Sequence, residues 1–302
     1  MSWIATLSLV LLSLLPWQPA GLTKTLESWS IEPAGAEVNL NQAPPLPKVQ
    51  IPIRRSNPNL NLQAASAYAI DVETAQPLYE QNANTQQPIA SVTKLITTLV
   101  ILQDHPLSDK ITVPTLPAYT PADDLLGLTP GEVFSVSDLL QAALVHSAND
   151  AADALAIADS GSREAFATKM NAYVAKWGIE GTQFSNPTGL TDAGNSATAM
   201  ALGKLSLLAL QRPAIRQFGN QGGGVVADAA GRKFALRPTD DLLSTGRFHG
   251  IKTGYTAAAG GCFVGLTTIN GHEIITVVLG SPDRFGETVQ LANWIQANYI
   301  WL

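Results

Sequence analysis

The first apolar run of the chain, Trp3 to Leu15 in "MSWIATLSLVLLSLLPWQPAG", is stopped by Pro16 and followed by the small residues Ala20 and Gly21. It is too short to cross a bilayer, which takes about 20 apolar residues, and has the length of a signal-peptide core. No Lys or Arg precedes it, and Gln18 stands where an A-x-A cleavage pattern has a small residue. Residues 1–20 are therefore expected to be a signal peptide, or an uncleaved N-terminal anchor that attaches the protein to a membrane. A buried helix of the domain has the same pattern at this length.

The pattern then breaks down. Residues 21–62, with "EPAGAEVNLNQAPPLPKVQIPIRRSNPNLNLQ", are polar and proline-rich without sustained periodicity. They read as a linker, spanning roughly 35 Å as a flexible coil. Such a stretch either spaces a domain from a membrane or is a disordered leader with no spacing role.

From residue 63 to residue 302, strand and helix signals alternate. "AYAIDVETAQPLYEQ" has the pattern of two short strands joined by a turn between Glu73 and Gln76. Ser91 to Gln103 has helical length without Gly or Pro, and Ser91 sits at its start. In "VSDLLQAALV", Leu139, Leu140, Ala143 and Leu144 form the stripe of a helix facing a core. Ala-rich segments from Asp150 to Ala158 and from Arg163 to Trp177 extend this helical block. Past the glycines of 219–224 the pattern turns to strands. "GCFVGLTTINGHEIITVVLG" predicts a hairpin, because Asn270-Gly271 tolerates the two positive φ angles of a type I′ turn. "ETVQLANWIQANYIWL" predicts a closing amphipathic helix. Strands at both ends with helices between them imply an α/β fold of α+β type, an antiparallel sheet flanked by helices plus an all-helical region.

Composition narrows the function classes. A hydrophobic fraction of 46% supplies a core, while charged residues are only 14%, against about 25% in an average domain. The net charge of -6 comes without a basic stripe, so no nucleic-acid partner is expected. One cysteine, Cys262, and four scattered histidines offer no zinc spacing, and no metal or cofactor is implied. Cys262 reads as a small buried hydrophobe, and His105, His146, His249 and His272 as surface or packing residues.

Three short motifs carry the candidate chemistry. "SVTK" sets Ser91 and Lys94 three apart at a helix start; alone it could be a capping serine and a snorkelling lysine. "HSAND" sets Ser147 and Asn149 between two predicted helices, and "GIKTGYT" sets Lys252, Thr253 and Gly254 at a predicted strand. S-x-x-K, S-x-N and K-T-G in this order form the motif set of penicillin-binding proteins and class A β-lactamases.

Over residues 64–302 the chain resembles the D-alanyl-D-alanine carboxypeptidase family of serine peptidases, the low-molecular-mass penicillin-binding proteins. Beyond the three motifs, the likeness includes "AIDVETAQPLYEQNANTQQPIASVTK", "FSNPTGL", "KTGYTAAAGGC" and the R-F-x-E-T stretch at Arg284. Thr188, where family members often carry histidine, and the tract "GNQGGGVVADAAG" depart from the family pattern.

A serine hydroxyl needs a base, and a lysine serves only if burial or a neighbouring cation depresses its pKa. Lys94 at i+3 lies under Ser91. Lys252 would depress Lys94 and attract a substrate carboxylate shared with Thr253, Ser147 would relay a proton, and Asn149 would hold Lys94 and the substrate backbone. The oxyanion would sit between the Ser91 N–H and, by the resemblance, that of Tyr255. The resemblance implies a domain at 63–302 that acts on peptidoglycan peptides ending in D-Ala-D-Ala, on the periplasmic or wall-facing side, with β-lactams as inhibitors. It leaves carboxypeptidase and endopeptidase open. A β-lactamase needs a deacylating glutamate, and neither Glu164 nor Glu180 has the E-x-x-L-N context. A non-catalytic wall-binding or β-lactam-sensing module is the remaining alternative.

Overall fold

Side chains that alternate across a strand let one sheet serve two cores. The computed structural model describes residues 49–190 and 194–302. Its main sheet comprises β1 (Ser66–Asp71), β2 (Pro77–Gln81), β3 (Phe248–Thr256), β4 (Gly260–Ile269) and β5 (His272–Ser281). The spatial order is β3-β4-β5-β1-β2, all antiparallel, so the early strands do pair with the late ones. Tyr68, Ile70, Ile275 and Val277 enter the larger core, while Ala67, Ala69, Ile274 and Val278 enter the smaller.

The helices are α1 (Thr93–Asp104), α2 (Val136–Val145), α3 (Asn149–Ser160), α4 (Arg163–Lys176), α5 (Ala199–Leu210), α6 (Pro213–Gly219) and α7 (Arg284–Asn298). Helix α7 seals the smaller core with Leu291, Ala292 and Ile295. Helix α5 packs on the opposite face of the sheet, where a Cβ on Gly203 would lie 2.6 Å from the Tyr68 ring. Helices α1 to α4 form the helical region beside the sheet, and the architecture is the antiparallel α+β class read from the sequence. Among the described residues no helix is long and apolar enough to cross a membrane. The apolar run at Trp3 to Leu15 lies outside them.

Local signals explain the element ends. Asn270 and Gly271 have φ of 51° and 88°, the two positive values that a type I′ hairpin between β4 and β5 requires. At α2 the Ser135 Oγ accepts the Asp138 N–H at 3.0 Å and the Asp138 carboxylate accepts the Ser135 N–H at 3.3 Å, a capping box. The glycine-rich tract forms a hairpin, Gly224–Ala227 against Lys233–Leu236.

The closing helix is shorter than its sequence pattern predicts. It ends at Asn298, and Tyr299–Trp301 continues as a strand paired with Pro52–Arg54. Tyr299 donates its hydroxyl to the Leu78 carbonyl at 2.7 Å, and the Trp301 indole N–H donates to Asp71 at 2.8 Å. Two buried aromatics at i and i+2 find those acceptors only when the backbone is extended. The compact unit runs from Val49 to Leu302, so the end of the proline-rich stretch is part of it.

Candidate active site

Ser91 lies in a tight 3-10 turn, Ala90–Val92, just ahead of α1. Ala90 takes the left-handed φ of 46°, and its carbonyl accepts the Thr93 hydroxyl at 2.8 Å. The turn is pressed from outside by the segment "NPTGL". Gly189 has φ of +81°, and a Cβ there would lie 1.9 Å from the Ala90 oxygen, so only glycine fits. Asn186 folds that segment by accepting the N–H groups of Thr188 (3.0 Å) and Gly189 (2.8 Å).

Ser91 does not cap the helix; the residue at that position is Val92, without a side-chain cap. Nor does Lys94 snorkel, because it is fully buried. Its Nζ donates to the Ser91 Oγ at 2.8 Å and to the Thr188 carbonyl at 2.9 Å. Both acceptors are uncharged. Burial, then the Lys252 charge, holds the Lys94 pKa well below the usual lysine range, against the opposing fields of Asp153, Asp124 and Asp150. A neutral amine at this distance has a lone pair free to take the serine proton.

Ser147 sits between α2 and α3 with φ of 62°, a conformation that costs a non-glycine residue about 1–3 kcal/mol. Its Oγ accepts from the Lys252 Nζ at 3.0 Å, and Lys252 also donates to the Thr253 carbonyl at 3.0 Å. Lys252 is 2% exposed, and burial lowers its pKa to about 7, with Asp124 and Asp240 opposing and Arg284 reinforcing the shift. The S-x-N turn and the K-T-G strand thus meet through one bond.

Asn149 departs from its expected contact. Its backbone N–H and its Nδ2 both donate to the Asp124 carbonyl, at 2.8 and 3.1 Å, and its Oδ1 is buried with no partner among the described residues. The hold on Lys94 expected of Asn149 is supplied by the Thr188 carbonyl instead. Only the main chain of residue 188 faces the lysine in this way, so that contact does not depend on which side chain stands there.

Gly254 lets β3 abut the Ser91 turn. A Cβ there would lie 3.0 Å from the Ile89 oxygen and the Ser91 nitrogen and 3.1 Å from the Val92 nitrogen. Thr253, buried beside it, shares a 2.6 Å hydroxyl contact with Thr239. Tyr255, the next residue, is 66% exposed.

The structure therefore brings Ser91, Lys94, Ser147, Lys252, Thr253 and Gly254 together, Lys94 on Ser91, Lys252 on Ser147 and Gly254 against the Ser91 turn, with Asn149 two residues beyond Ser147. Sequence reasoning missed the Thr188 carbonyl, Thr239 and Asp150. Thr188 stands within "FSNPTGL", but nothing local says that its carbonyl would face Lys94, and no local signal marks Thr239. Asp150 could have been found as the acid in the first turn of α3; its carboxylate accepts the N–H groups of Leu126, Gly127 and Leu128 at 2.8–3.0 Å. The histidines serve elsewhere, for example His105 against Asp159 and His272 stacked on Trp301. Cys262 is buried, and burial pushes its thiol up to about 11.

The sequence pattern of the D-alanyl-D-alanine carboxypeptidase family matches residues 52–283. D-alanyl-D-alanine carboxypeptidase DacF of Bacillus subtilis is 32% identical over 249 residues, 78% of this chain and 63% of that protein. A D-alanyl-D-alanine endopeptidase of Pseudomonas aeruginosa is 31% identical over 269 residues, 85% of this chain and 84% of that protein. The crystal structure of penicillin-binding protein D2 from Listeria monocytogenes, in its ampicillin-bound form, superimposes with a TM-score of 0.68 at 31% identity, covering 80% of this chain and all of that one.

Proposed function

The chain belongs to the D-alanyl-D-alanine carboxypeptidase family of serine peptidases, and from that premise we propose that it cleaves the D-Ala-D-Ala end of peptidoglycan peptides through an acyl-enzyme on Ser91. Lys94 takes the Ser91 proton as Oγ attacks the carbonyl carbon of the penultimate D-alanine. The resulting oxyanion sits between the N–H groups of Ser91 and Tyr255, where donors fixed in advance need no reorganisation. As the C–N bond breaks, Ser147 gives its proton to the leaving amine and takes in exchange the proton that Lys94 removed from Ser91, which leaves Lys94 neutral again and Lys252 charged. Free D-alanine departs, and a water deprotonated by Lys94 hydrolyses the ester. Charged Lys252, with Thr253, holds the terminal carboxylate until then.

The observation that carries this reading is the 2.8 Å contact between the Ser91 hydroxyl and a lysine amine buried without a carboxylate partner. A structural lysine would find a counter-charge; this one finds only neutral oxygens. A catalytically idle wall-binding module would have no use for that arrangement. Against a β-lactamase, Glu164 and Glu180 are both exposed, outside the cleft that a deacylating base must occupy. The acyl-enzyme formed with a β-lactam is accordingly long-lived.

A second reading, a DD-endopeptidase that cuts D-Ala cross-links, rests on the likeness to the Pseudomonas endopeptidase, 31% identical over 85% of this chain. In either case residues 1–20 serve as export signal or anchor and the stretch that follows, up to residue 48, as tether, with the compact unit of 49–302 working outside the cytoplasm.

The test is labelling of the purified full chain with a fluorescent penicillin, beside Ser91→Ala, followed by product analysis from a pentapeptide and a cross-linked dimer. Stable labelling lost in Ser91→Ala, with D-alanine released from the pentapeptide, is expected. Failure to label and to release D-alanine would refute a peptidase. Cleavage of the dimer alone would select the endopeptidase.

A further inference from the structure

We propose that Thr239 is a positioning residue for carboxylate capture: its hydroxyl donates to the Thr253 hydroxyl and so turns the Thr253 proton toward the substrate. This inference rests on the peptidase reading above, in which Lys252 and Thr253 hold the terminal carboxylate.

The two hydroxyls are 2.6 Å apart, and among the described residues neither has another hydrogen-bond partner. At that distance one of them donates to the other. A hydroxyl has a single proton, and a carboxylate oxygen only accepts. If Thr253 donated to Thr239, it would turn lone pairs toward the incoming carboxylate and offer it nothing. If Thr239 donates, the Thr253 proton is free for the carboxylate, and the bond that Thr253 receives polarises the one it gives. With Thr253 only 4% exposed, solvent is poorly placed to do this instead.

The segment that carries Thr239 is held on both sides. Ahead of it, the Arg237 N–H donates to the His146 Nδ1 at 3.1 Å, one residue before Ser147 of the S-x-N turn. After it, the Asp240 Oδ1 accepts the Leu242 N–H at 2.9 Å, and the other carboxylate oxygen occupies the space that a Cβ on Gly250 of β3 would need. Residues 237–240 thus bridge the S-x-N turn and the K-T-G strand. None of these anchoring contacts uses the side chain of residue 239, and a valine would fill nearly the same volume. The hydroxyl has its use in Thr253.

The test is steady-state release of D-alanine from a pentapeptide by the full chain, Thr239→Val, Thr239→Ser, Thr253→Val and the Thr239→Val/Thr253→Val double variant. Thr239→Val should lower kcat/KM by about 3- to 10-fold, the worth of one hydrogen bond, through a higher KM. kcat should stay within about a factor of two, because a contact made equally in the bound peptide and in the transition state affects binding and not turnover. Thr239→Ser returns the donor and should restore the wild-type KM. In Thr253→Val, adding Thr239→Val should change nothing further, because the hydroxyl it orients is gone. A wild-type KM in Thr239→Val, a fall in kcat with KM unmoved, no rescue by serine, or additive losses in the double variant would each overturn the inference while D-alanine release by the wild type stands. Should the wild type release no D-alanine, the reading above falls, and this inference with it.

Discussion

Lys94 on α1 and Lys169 on α4 are the same side chain held in opposite ways. Lys169 is partly exposed and has Asp104 at 2.8 Å and Asp159 at 2.6 Å. Its partial burial lowers the pKa, but the hydrogen bonds to those carboxylates outweigh it, and the net shift is upward. Lys94 is fully buried against a hydroxyl and a carbonyl, beside a second lysine, and its pKa moves well down. Hydrogen bonding alone therefore does not decide whether a lysine is an ion or a base. What decides it is whether the acceptors carry charge that compensates for lost water.

The largest expected difference between the two is catalytic. Lys94→Met should slow acylation of Ser91 by penicillin about 10²- to 10⁴-fold, the usual contribution of a positioned base, as measured by stopped-flow labelling. Lys169→Met should leave that rate within a factor of two, and a comparable fall would erase the contrast.

Next is Lys252, a buried lysine asked to stay partly charged. Lys252→Met should reduce peptide kcat/KM by about 10- to 100-fold, the value of one or two hydrogen bonds to a carboxylate. The wild-type profile should rise as Lys94 loses its proton and fall as Lys252 discharges near pH 7. A basic limb absent below pH 9 would remove Lys252 from carboxylate capture.

Stability should separate the lysines by sign. Lys94 has a folded pKa below its unfolded one, so between those values the unfolded chain binds more protons and stability rises with pH. The slope is up to about 1.4 kcal/mol per pH unit for one group. Urea unfolding between pH 8.5 and 10 should show it in the wild type and show it reduced in Lys94→Met. For Lys169 the folded pKa is raised, so its contribution is complete below the unfolded value and is lost as pH climbs through the folded one.

Last comes the ion pair itself. Lys169→Ala should cost about 1–3 kcal/mol at neutral pH, since Asp104 is open to water but the Asp159 side chain is 3% exposed and loses its cation. Thermal melts in low and high salt would measure it; a loss that ignores salt would point to packing.

Much of this was legible in one dimension. The hairpin at Asn270-Gly271, the α2 cap at Ser135 and the helices flanking Ser147 follow from local periodicity and turn chemistry, which act over a few residues. The end of α7 was not legible, because "NYIWL" is as apolar as a helical stripe and becomes a strand only where residues 52–54 and the acceptors at Leu78 and Asp71 await it. Asn149 was assigned to Lys94 for a like reason: its spacing from Ser147 marks it as part of the site, but spacing does not say which neighbour takes its amide.

By itself the sequence determined which residues are the candidates for the chemistry: a serine and lysine one helical turn apart, the S-x-N pair, and the K-T-G strand near the other end of the chain. Only the tertiary structure decided what each lysine is. Lys94 and Lys169 both lie on helices, and no local pattern distinguishes an ammonium that will meet two carboxylates from one that will meet a serine hydroxyl and the carbonyl of residue 188. Desolvation and charge pairing depend on atoms tens of residues away in the chain, and those distances exist only after folding.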